Sequence, residues 1–161
     1  MNKNKPKKTK IIAEIAQSHL GSLKKIKKII DKVAKTKVDY IKFQTHIADA
    51  ESTLNEPFRV KIGKFKNRIE YWRKMEFSKK EWGEIKKYCI KKKIKFLSSP
   101  FSEEAVDLLE SIKTPAWKIG SGEFFSKSLI KKIAKTKKII FINKGLATLK
   151  DISKMVTWLR K

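Results

Sequence analysis

The sequence predicts an α/β fold with parallel strands. Three observations lead to this prediction: short apolar strands alternate with amphipathic helical stretches, capping residues mark several helix starts, and polar residues follow the strands at their carboxyl ends. In such folds the active site lies at those strand ends, whether the sheet is open or closed.

The first two units show the pattern most clearly. An apolar run at 11–15 leads through a polar loop to a helix from about Ser22, in which apolar residues recur at helical spacing: Leu23, Ile26, Ile29, Ile30 and Val33. The second strand, 38–44, overlaps the stretch YIKFQT, which alternates Ile41 and Phe43 with Lys42 and Gln44. One side of this strand is therefore apolar and the other is polar.

The segment 45–77 is long, has no clean period, and carries aromatic and basic residues. Its aromatic content argues against disorder, so it is expected to be a functional loop or a purely structural lid. With Arg59 and Tyr71, it is a candidate for lining part of a site at the strand ends. Only one histidine is predicted near a strand end, so the chain alone offers little for a metal.

Three further units complete the prediction. Ser78 and Glu81 form a capping box for a helix that leads to a strand at 94–99, and Ser102 caps the next helix. The fourth strand is 116–120 and is followed by a short helix. The fifth strand is 138–142, and Thr148 with Asp151 starts the last helix.

The stretch WKIGSGE, 117–123, places a lysine, a serine and a glutamate at the end of an apolar strand. Lys42 and Lys118 thus occupy equivalent places on two strands, which we expect to be neighbours in the sheet. Both lysines are expected to point the same way, into one small pocket. Each lysine taken alone also fits a strand-end side chain that extends to solvent. A carboxylate here is satisfied either by a site or by an ion pair with one of the lysines.

Composition indicates one folded domain, 11–161, after a basic tail at 1–10. The chain has 161 residues, 40% hydrophobic content and a net charge of +25, almost all of it from lysine spread over the helical segments. Specific nucleic-acid readers favour clustered arginine, so a solvated lysine coat is the preferred interpretation.

Cys89, the single cysteine, lies in a helical pattern and is predicted to be core packing. No apolar stretch has the length of a signal peptide core or a membrane span, so we expect a cytoplasmic protein without a membrane partner.

Several motifs occur in order along the chain: EIAQ with His19 and Gly21, IKFQT at 41–45, ADAEST at 48–53 with EPFR at 56–59, YW at 71–72, LSSPF at 97–101, and WKIGSGE. In these motifs, and in register from residue 11 onward, the chain resembles the sialic acid synthases, that is, the N-acetylneuraminate and related nonulosonate synthases.

This resemblance implies a reaction and a fold. Members of the family condense phosphoenolpyruvate with an N-acetylated hexosamine to a nine-carbon 2-keto acid, releasing phosphate, as part of surface polysaccharide biosynthesis. Their catalytic domain is a TIM-type (β/α)8 barrel, and a divalent metal, manganese or magnesium, polarises the aldehyde. We expect this chain to form about the first five β/α units of that barrel, without the antifreeze-like carboxyl-terminal domain and without the metal ligands.

The resemblance also implies roles for individual residues. Lys42 and Lys118 would hold phosphoenolpyruvate, assisted by Gln44, Ser99, Ser121 and Asn143, while Glu14 and Glu123 would face the reacting centre. His19 takes the place of the family's loop histidine, although a surface loop histidine fits the sequence equally well. The chain departs from the family at Ser18, at Leu20 and at 143–145, where Asn-Lys-Gly replaces Ser-Thr-Gly; Lys144 is a candidate for added charge there.

Two other functions remain open at this point. One is a truncated, non-catalytic module that binds a phosphorylated metabolite or pairs with a complementary half-barrel, and the other is a different phosphoenolpyruvate-condensing barrel. Either way, an incomplete barrel exposes sheet edges, so we expect a homo-oligomer or a half-barrel partner.

Overall fold

Five parallel strands form one sheet in the order in which they occur along the chain. The computed structural model describes residues 9–58 and 60–160. The strands are β1 (Ile12–Glu14), β2 (Tyr40–Thr45), β3 (Lys95–Pro100), β4 (Ala116–Ile119) and β5 (Ile139–Ile142). A doubly wound sheet reverses its strand order, whereas this sheet does not, so the order is that of a β/α barrel. The described chain is a half-barrel, as predicted.

The helices alternate with the strands and pack beside one another. They are α1 (Leu23–Ala34), α2 (Ala48–Glu51), α3 (Arg68–Met75), α4 (Lys79–Lys91), α5 (Glu103–Ser111), α6 (Lys127–Ala134) and α7 (Leu149–Arg160), with a short 3-10 helix at Gly122–Phe125. The predicted caps are confirmed at Ser78 and Ser102, and Thr148 and Asp151 exchange the expected hydrogen bonds. The helix expected from about Ser22 begins there, with Ser22 as its N-cap. None of the described helices is long and apolar enough to cross a membrane.

The main core lies between the sheet and the outer helices. Phe43 of β2 stacks on Phe96 of β3 with ring centroids 5.2 Å apart, and it meets Trp82 of α4 edge to face at 5.9 Å. Cys89 is fully buried in the same core, as predicted, and burial raises the pKa of its thiol to about 12. A thiol with this pKa stays protonated at neutral pH, and the side chain packs in the core like a small apolar residue.

The other face of the sheet carries two layers of side chains. The lower layer is apolar and consists of Ile12, Tyr40, Leu97, Ala116 and Phe141. Strand side chains repeat on one face every second residue, so each strand places another residue directly above this layer. Those residues are polar in all five cases: Glu14, Lys42, Ser99 and Lys118 lie on the strands, and Asn143 directly follows β5. The inner face therefore changes from apolar to polar at the carboxyl ends of the strands.

The described residues of the segment 45–77 are folded, as the aromatic content indicated, but the prediction of a long loop is wrong in part because the segment contains α2 and α3. Asn67 caps α3 by accepting a hydrogen bond from the Glu70 amide at 3.0 Å. Arg73 pairs with Asp49 at 2.6 Å, which ties α3 to α2. The aromatic residues of this segment thus belong to an ordered cap above the β2 end of the sheet.

Candidate active site

The polar layer opens into a cavity of about 340 Å³ at the carboxyl ends of the strands. Its walls are Glu14, Lys42, Gln44, Phe101, Lys118, Gly120, Ser121, Gly122, Glu123 and Asn143. The structure therefore brings every predicted site residue except Ser99 to one cavity. Ser99 Oγ lies 3.4 Å from the Lys42 ammonium. Larger concavities exist on the outer helices, but they contain none of the predicted site residues.

Lys42 is buried and held by two partners. Its ammonium forms an ion pair with the Glu14 carboxylate and lies 3.4 Å from Ser99 Oγ. Next to this contact, Thr45 Oγ1 and Ser98 Oγ are 2.7 Å apart and join the ends of β2 and β3. The predicted ion pair of a site carboxylate with a lysine is present, and a bound anion would compete with Glu14 for Lys42.

Lys118 is half-buried on β4 and faces the same cavity. Its ammonium donates a hydrogen bond to the Ile119 carbonyl at 2.7 Å. Burial lowers its pKa below the usual 10.5, and the charge of Lys42 lowers that pKa further. The two ammonium groups therefore converge closely enough to repel each other. They do not lie on neighbouring strands as the pattern suggested, because β3 runs between β2 and β4.

The two glutamates have different surroundings. The Glu14 side chain remains 47% exposed, and its Oε1 accepts a hydrogen bond from the Ala16 amide at 3.0 Å. Glu123 is more enclosed, and burial raises the pKa of its carboxyl above 4.5. A Cβ at position 120 would overlap Glu123 Oε2, so this carboxyl occupies the space that Gly120 leaves free.

Asn143 and Ser121 form the remaining wall. Asn143 Oδ1 accepts a hydrogen bond from the Gly145 amide at 3.1 Å, so its NH2 group stays available as a donor. Gly145 has a φ of +53°, and a Cβ there would lie 2.6 Å from Ser121 Cβ. Glycine is therefore required for this turn. Lys144 Nζ instead lies 3.3 Å from the Gly145 carbonyl, and the residue is not part of the cavity wall.

Two further candidates lie outside the cavity. His19 is fully buried, so its interpretation as a surface loop histidine is wrong. Its Nδ1 accepts a hydrogen bond from the Gly21 amide, and its ring centroid lies 4.9 Å from that of Phe77. Burial lowers the pKa of His19 to about 4. Tyr71 lines a separate apolar groove of about 550 Å³ with Phe58 and Trp72. Arg59 lies outside the described residues.

The sequence analysis missed one histidine that lies beside the cavity wall. His46 directly follows β2, so two histidines lie beyond strand ends, not one. It stacks on Phe101, which lines the cavity, with ring centroids 4.3 Å apart. Two signals in the sequence could have identified His46: it directly follows the polar stretch KFQT, and Glu51 lies five residues later.

The described residues do not fit the divalent metal that the resemblance implies. No group of three or more histidine, cysteine, aspartate or glutamate side chains in 9–58 and 60–160 converges on a point. The two cavity carboxylates also lie beside lysines, whose charge disfavours a cation.

The fold and the cavity together define a protein of the β/α-barrel type with a lysine-lined cavity at the carboxyl ends of its strands. The NeuB family model matches residues 29–161, and the chain belongs to the NeuB family.

Two relatives by sequence and one solved crystal structure support this assignment. The chain is 35% identical over 159 residues to the N,N'-diacetyllegionaminic acid synthase of Campylobacter jejuni, covering 96% of this chain and 48% of that protein. It is 31% identical to human N-acetylneuraminate-9-phosphate synthase, covering 91% and 41%. The crystal structure of the N-acetylneuraminic acid synthetase of Leptospira borgpetersenii, in complex with citrate, superposes with a TM-score of 0.81 at 26% identity. That match covers 94% of this chain and 50% of the other.

The chain thus spans about half the length of the proteins that it matches, or somewhat less. The similarity covers nearly all of this chain, including both lysine-bearing strands and the cavity between them.

Proposed function

We propose that this chain binds phosphoenolpyruvate in the cavity and contributes to a sialic-acid-type synthase reaction. In this reaction phosphoenolpyruvate condenses with the aldehyde of an N-acetylated hexosamine to a nine-carbon 2-keto acid, and phosphate is released. The proposal is supported by the membership in the NeuB family and by the names of the relatives, which are synthases of nonulosonic acids.

The observation that carries the proposal is the convergence of Lys42 and Lys118 on one small cavity. Burying two cations side by side is unfavourable, as the lowered pKa of Lys118 reflects, unless an anion joins them. Phosphoenolpyruvate carries a carboxylate and a phosphate on a three-carbon frame, so it offers one anionic group to each lysine. The citrate complex of the Leptospira protein is consistent with an anion site in a protein of this fold.

The surrounding side chains supply fixed donors for the same ligand. Asn143, Ser121 and Gln44 lie in the cavity wall, and Ser99 contacts the Lys42 ammonium. Such preorganised donors stabilise charge that develops during phosphate release without reorganising. Glu123, with its raised pKa, is suited to hold a water or sugar hydroxyl at the reacting centre. None of the residues above is assigned to a metal.

A second candidate is a binding module that lacks the complete reaction. Within the described chain, β1 and β5 pair with the sheet on one side only, and Ile139 and Ile142 of β5 are exposed. These apolar edge residues favour a half-barrel partner or a second copy of the chain. Under this alternative the cavity still binds the anion, but the carbon–carbon bond forms only when the partner is present.

One experiment separates the candidates. The purified chain is incubated with phosphoenolpyruvate, N-acetylmannosamine and manganese, phosphate is measured, and phosphoenolpyruvate binding is followed by calorimetry. Binding with phosphate release supports the synthase. Binding without release supports the module. Absence of phosphoenolpyruvate binding contradicts the proposed function in both forms.

A further inference from the structure

One apolar side chain interrupts the polar wall of the cavity. Among the described residues that line it, Phe101 alone carries an apolar side chain, whereas the others are charged, polar or glycine. Phe101 is only partly buried, so it is not closed off inside the core. A ligand in the cavity therefore meets one apolar surface, and the place of that surface decides which part of the ligand it contacts.

The topology of the sheet places Phe101 between the two lysines. Phe101 directly follows β3, and β3 runs between β2, which carries Lys42, and β4, which carries Lys118. A ligand that gives one anionic group to each lysine must cross the end of β3. Its middle, and not its charged ends, is therefore the part that lies nearest to Phe101.

The ring of Phe101 is fixed by an aromatic stack. It lies against the ring of His46 with centroids 4.3 Å apart and planes at 15°, and His46 lies against Trp72 of α3 at 3.9 Å and 14°. His46 is buried, so the stack is anchored below the surface. Because His46 covers one face of the Phe101 ring, the other face is the one that a ligand can contact. A ring that is already held in place loses little freedom on binding.

Phosphoenolpyruvate has an apolar group at the matching place. Its carboxylate and its phosphate are both attached to the central carbon, and this carbon also carries a methylene group without any polar atom. When the two anionic groups contact the two lysines, the methylene group is the part left for an apolar contact. The same methylene carbon forms the new bond in the proposed condensation, so its position matters for the reaction.

We propose that Phe101 is a specificity-determining residue whose ring packs against the methylene group of phosphoenolpyruvate. This inference rests on the proposed function and deepens it. Lys42 and Lys118 recognise charge, which many small metabolites share. Phe101 distinguishes phosphoenolpyruvate from other molecules that carry a carboxylate and a phosphate.

The probe for this contact is 2-phosphoglycolate, which has the same carboxylate and phosphate but lacks the methylene branch at the central carbon. Calorimetry of both ligands, with displacement titration for the weaker one, measures the preference. We expect the wild-type chain to bind phosphoenolpyruvate at least roughly fourfold tighter, the value of burying one methylene group. In Phe101→Ala this preference should fall below about twofold, while the affinity for 2-phosphoglycolate changes by less than about twofold.

Two further variants separate the contact from a loss of structure. Phe101→Leu keeps an apolar side chain at the same place and should retain most of the preference. Phe125→Ala is the matched control, because it removes an equally large ring that is 60% exposed and is not part of the cavity wall. It should alter neither affinity. If Phe101→Ala weakens both ligands by the same factor, the ring only supports the stack with His46 and the inference is overturned.

The outcomes also separate this inference from the proposed function. If the wild-type chain does not bind phosphoenolpyruvate, the proposed function is contradicted, and the role of Phe101 is contradicted with it. If both ligands bind but the wild-type chain shows no preference, or if Phe101→Ala keeps the full preference, anion binding by the lysines stands and only the role of Phe101 is overturned.

Discussion

Lys118 illustrates how the surroundings of a single residue determine what it can bind. Burial and the neighbouring charge of Lys42 lower its pKa, while the carboxylates of Glu14 and Glu123 oppose this effect. A bound anion adds negative charge beside the ammonium and therefore raises the pKa again.

We predict that phosphoenolpyruvate binding takes up protons at alkaline pH. Between the lowered pKa of free Lys118 and the higher pKa of the complex, binding captures up to about one proton, so affinity falls as pH rises through this range. Calorimetry in buffers of different ionisation enthalpy measures the uptake. It should be absent in Lys118→Met, and an equal uptake in that variant would assign the proton to another group.

Gly120 is predicted to act on Glu123 without affecting the fold. In Gly120→Ala the new Cβ takes the place of Glu123 Oε2, which lies at the end of a flexible side chain and can turn toward solvent. We expect the free energy of unfolding to change by less than about 1 kcal/mol and the pKa of Glu123 to move down toward 4.5, because burial is what raises it.

Carbon-13 NMR of the Glu123 carboxyl follows this pKa. Gly122→Ala is the matched control, since a Cβ there meets no atom within 4 Å. If both alanine variants leave the pKa of Glu123 unchanged, the carboxyl does not depend on the space above Gly120.

At the scale of the elements, the ends of α4 and α5 share a feature that no sequence pattern indicated. Lys93 and Lys113 adopt the left-handed conformation, with φ of 60° and 57°. In α4 the Ile94 amide bonds to the Cys89 carbonyl and the Lys93 amide to that of Ile90, the two hydrogen bonds of a Schellman motif. The position after the helix normally favours glycine, so lysine there is strained.

We therefore predict that Lys93→Gly stabilises the protein. Relief of the left-handed strain should raise the free energy of unfolding by about 0.5 to 1 kcal/mol. Chemical denaturation measures the change. Lys87→Gly, at an exposed interior position of α4, removes the same charge and should destabilise by about 1 kcal/mol. Loss of stability in both variants would contradict the assigned strain.

The elements themselves could largely be predicted from local sequence. Serine caps, helical apolar spacing and strand alternation are short-range signals, and the structure confirms the predicted caps at Ser78 and Ser102. The helix α3 was missed because its apolar face is short, although Asn67 with Glu70 three residues later is also a capping signal. The stack of His46 between Trp72 and Phe101 joins residues far apart in the chain, and no local pattern encodes it.

At the scale of the whole molecule, the polar layer above the apolar layer follows from topology. Alternation predicted which side of β2 and β4 is polar, but not that Glu14, Ser99 and Asn143 complete one layer with the lysines. That result requires the strand order, which sequence periodicity does not contain. The strand order was expected instead from the resemblance to a barrel family, and the family match now supports that resemblance.

The lysine coat gives a prediction for the entire chain. A net charge of +25 destabilises a compact state by self-repulsion, which salt screens. We expect the melting temperature to rise by about 2 to 5 °C when sodium chloride increases from low concentration to roughly 0.5 M. Thermal unfolding followed by circular dichroism measures it. A fall over this range would mean that surface ion pairs outweigh the repulsion.

The central claim is that Lys42 and Lys118 together hold an anionic substrate in one cavity. The most direct measurement is the calorimetric affinity for phosphoenolpyruvate of the double variant Lys42→Met and Lys118→Met, compared with Lys87→Met and Lys91→Met. Both variants remove two positive charges, but the second pair lies exposed on α4. We predict that the first variant loses at least roughly 100-fold in affinity and that the second keeps nearly all of it. Equal affinity of the two variants would contradict the account.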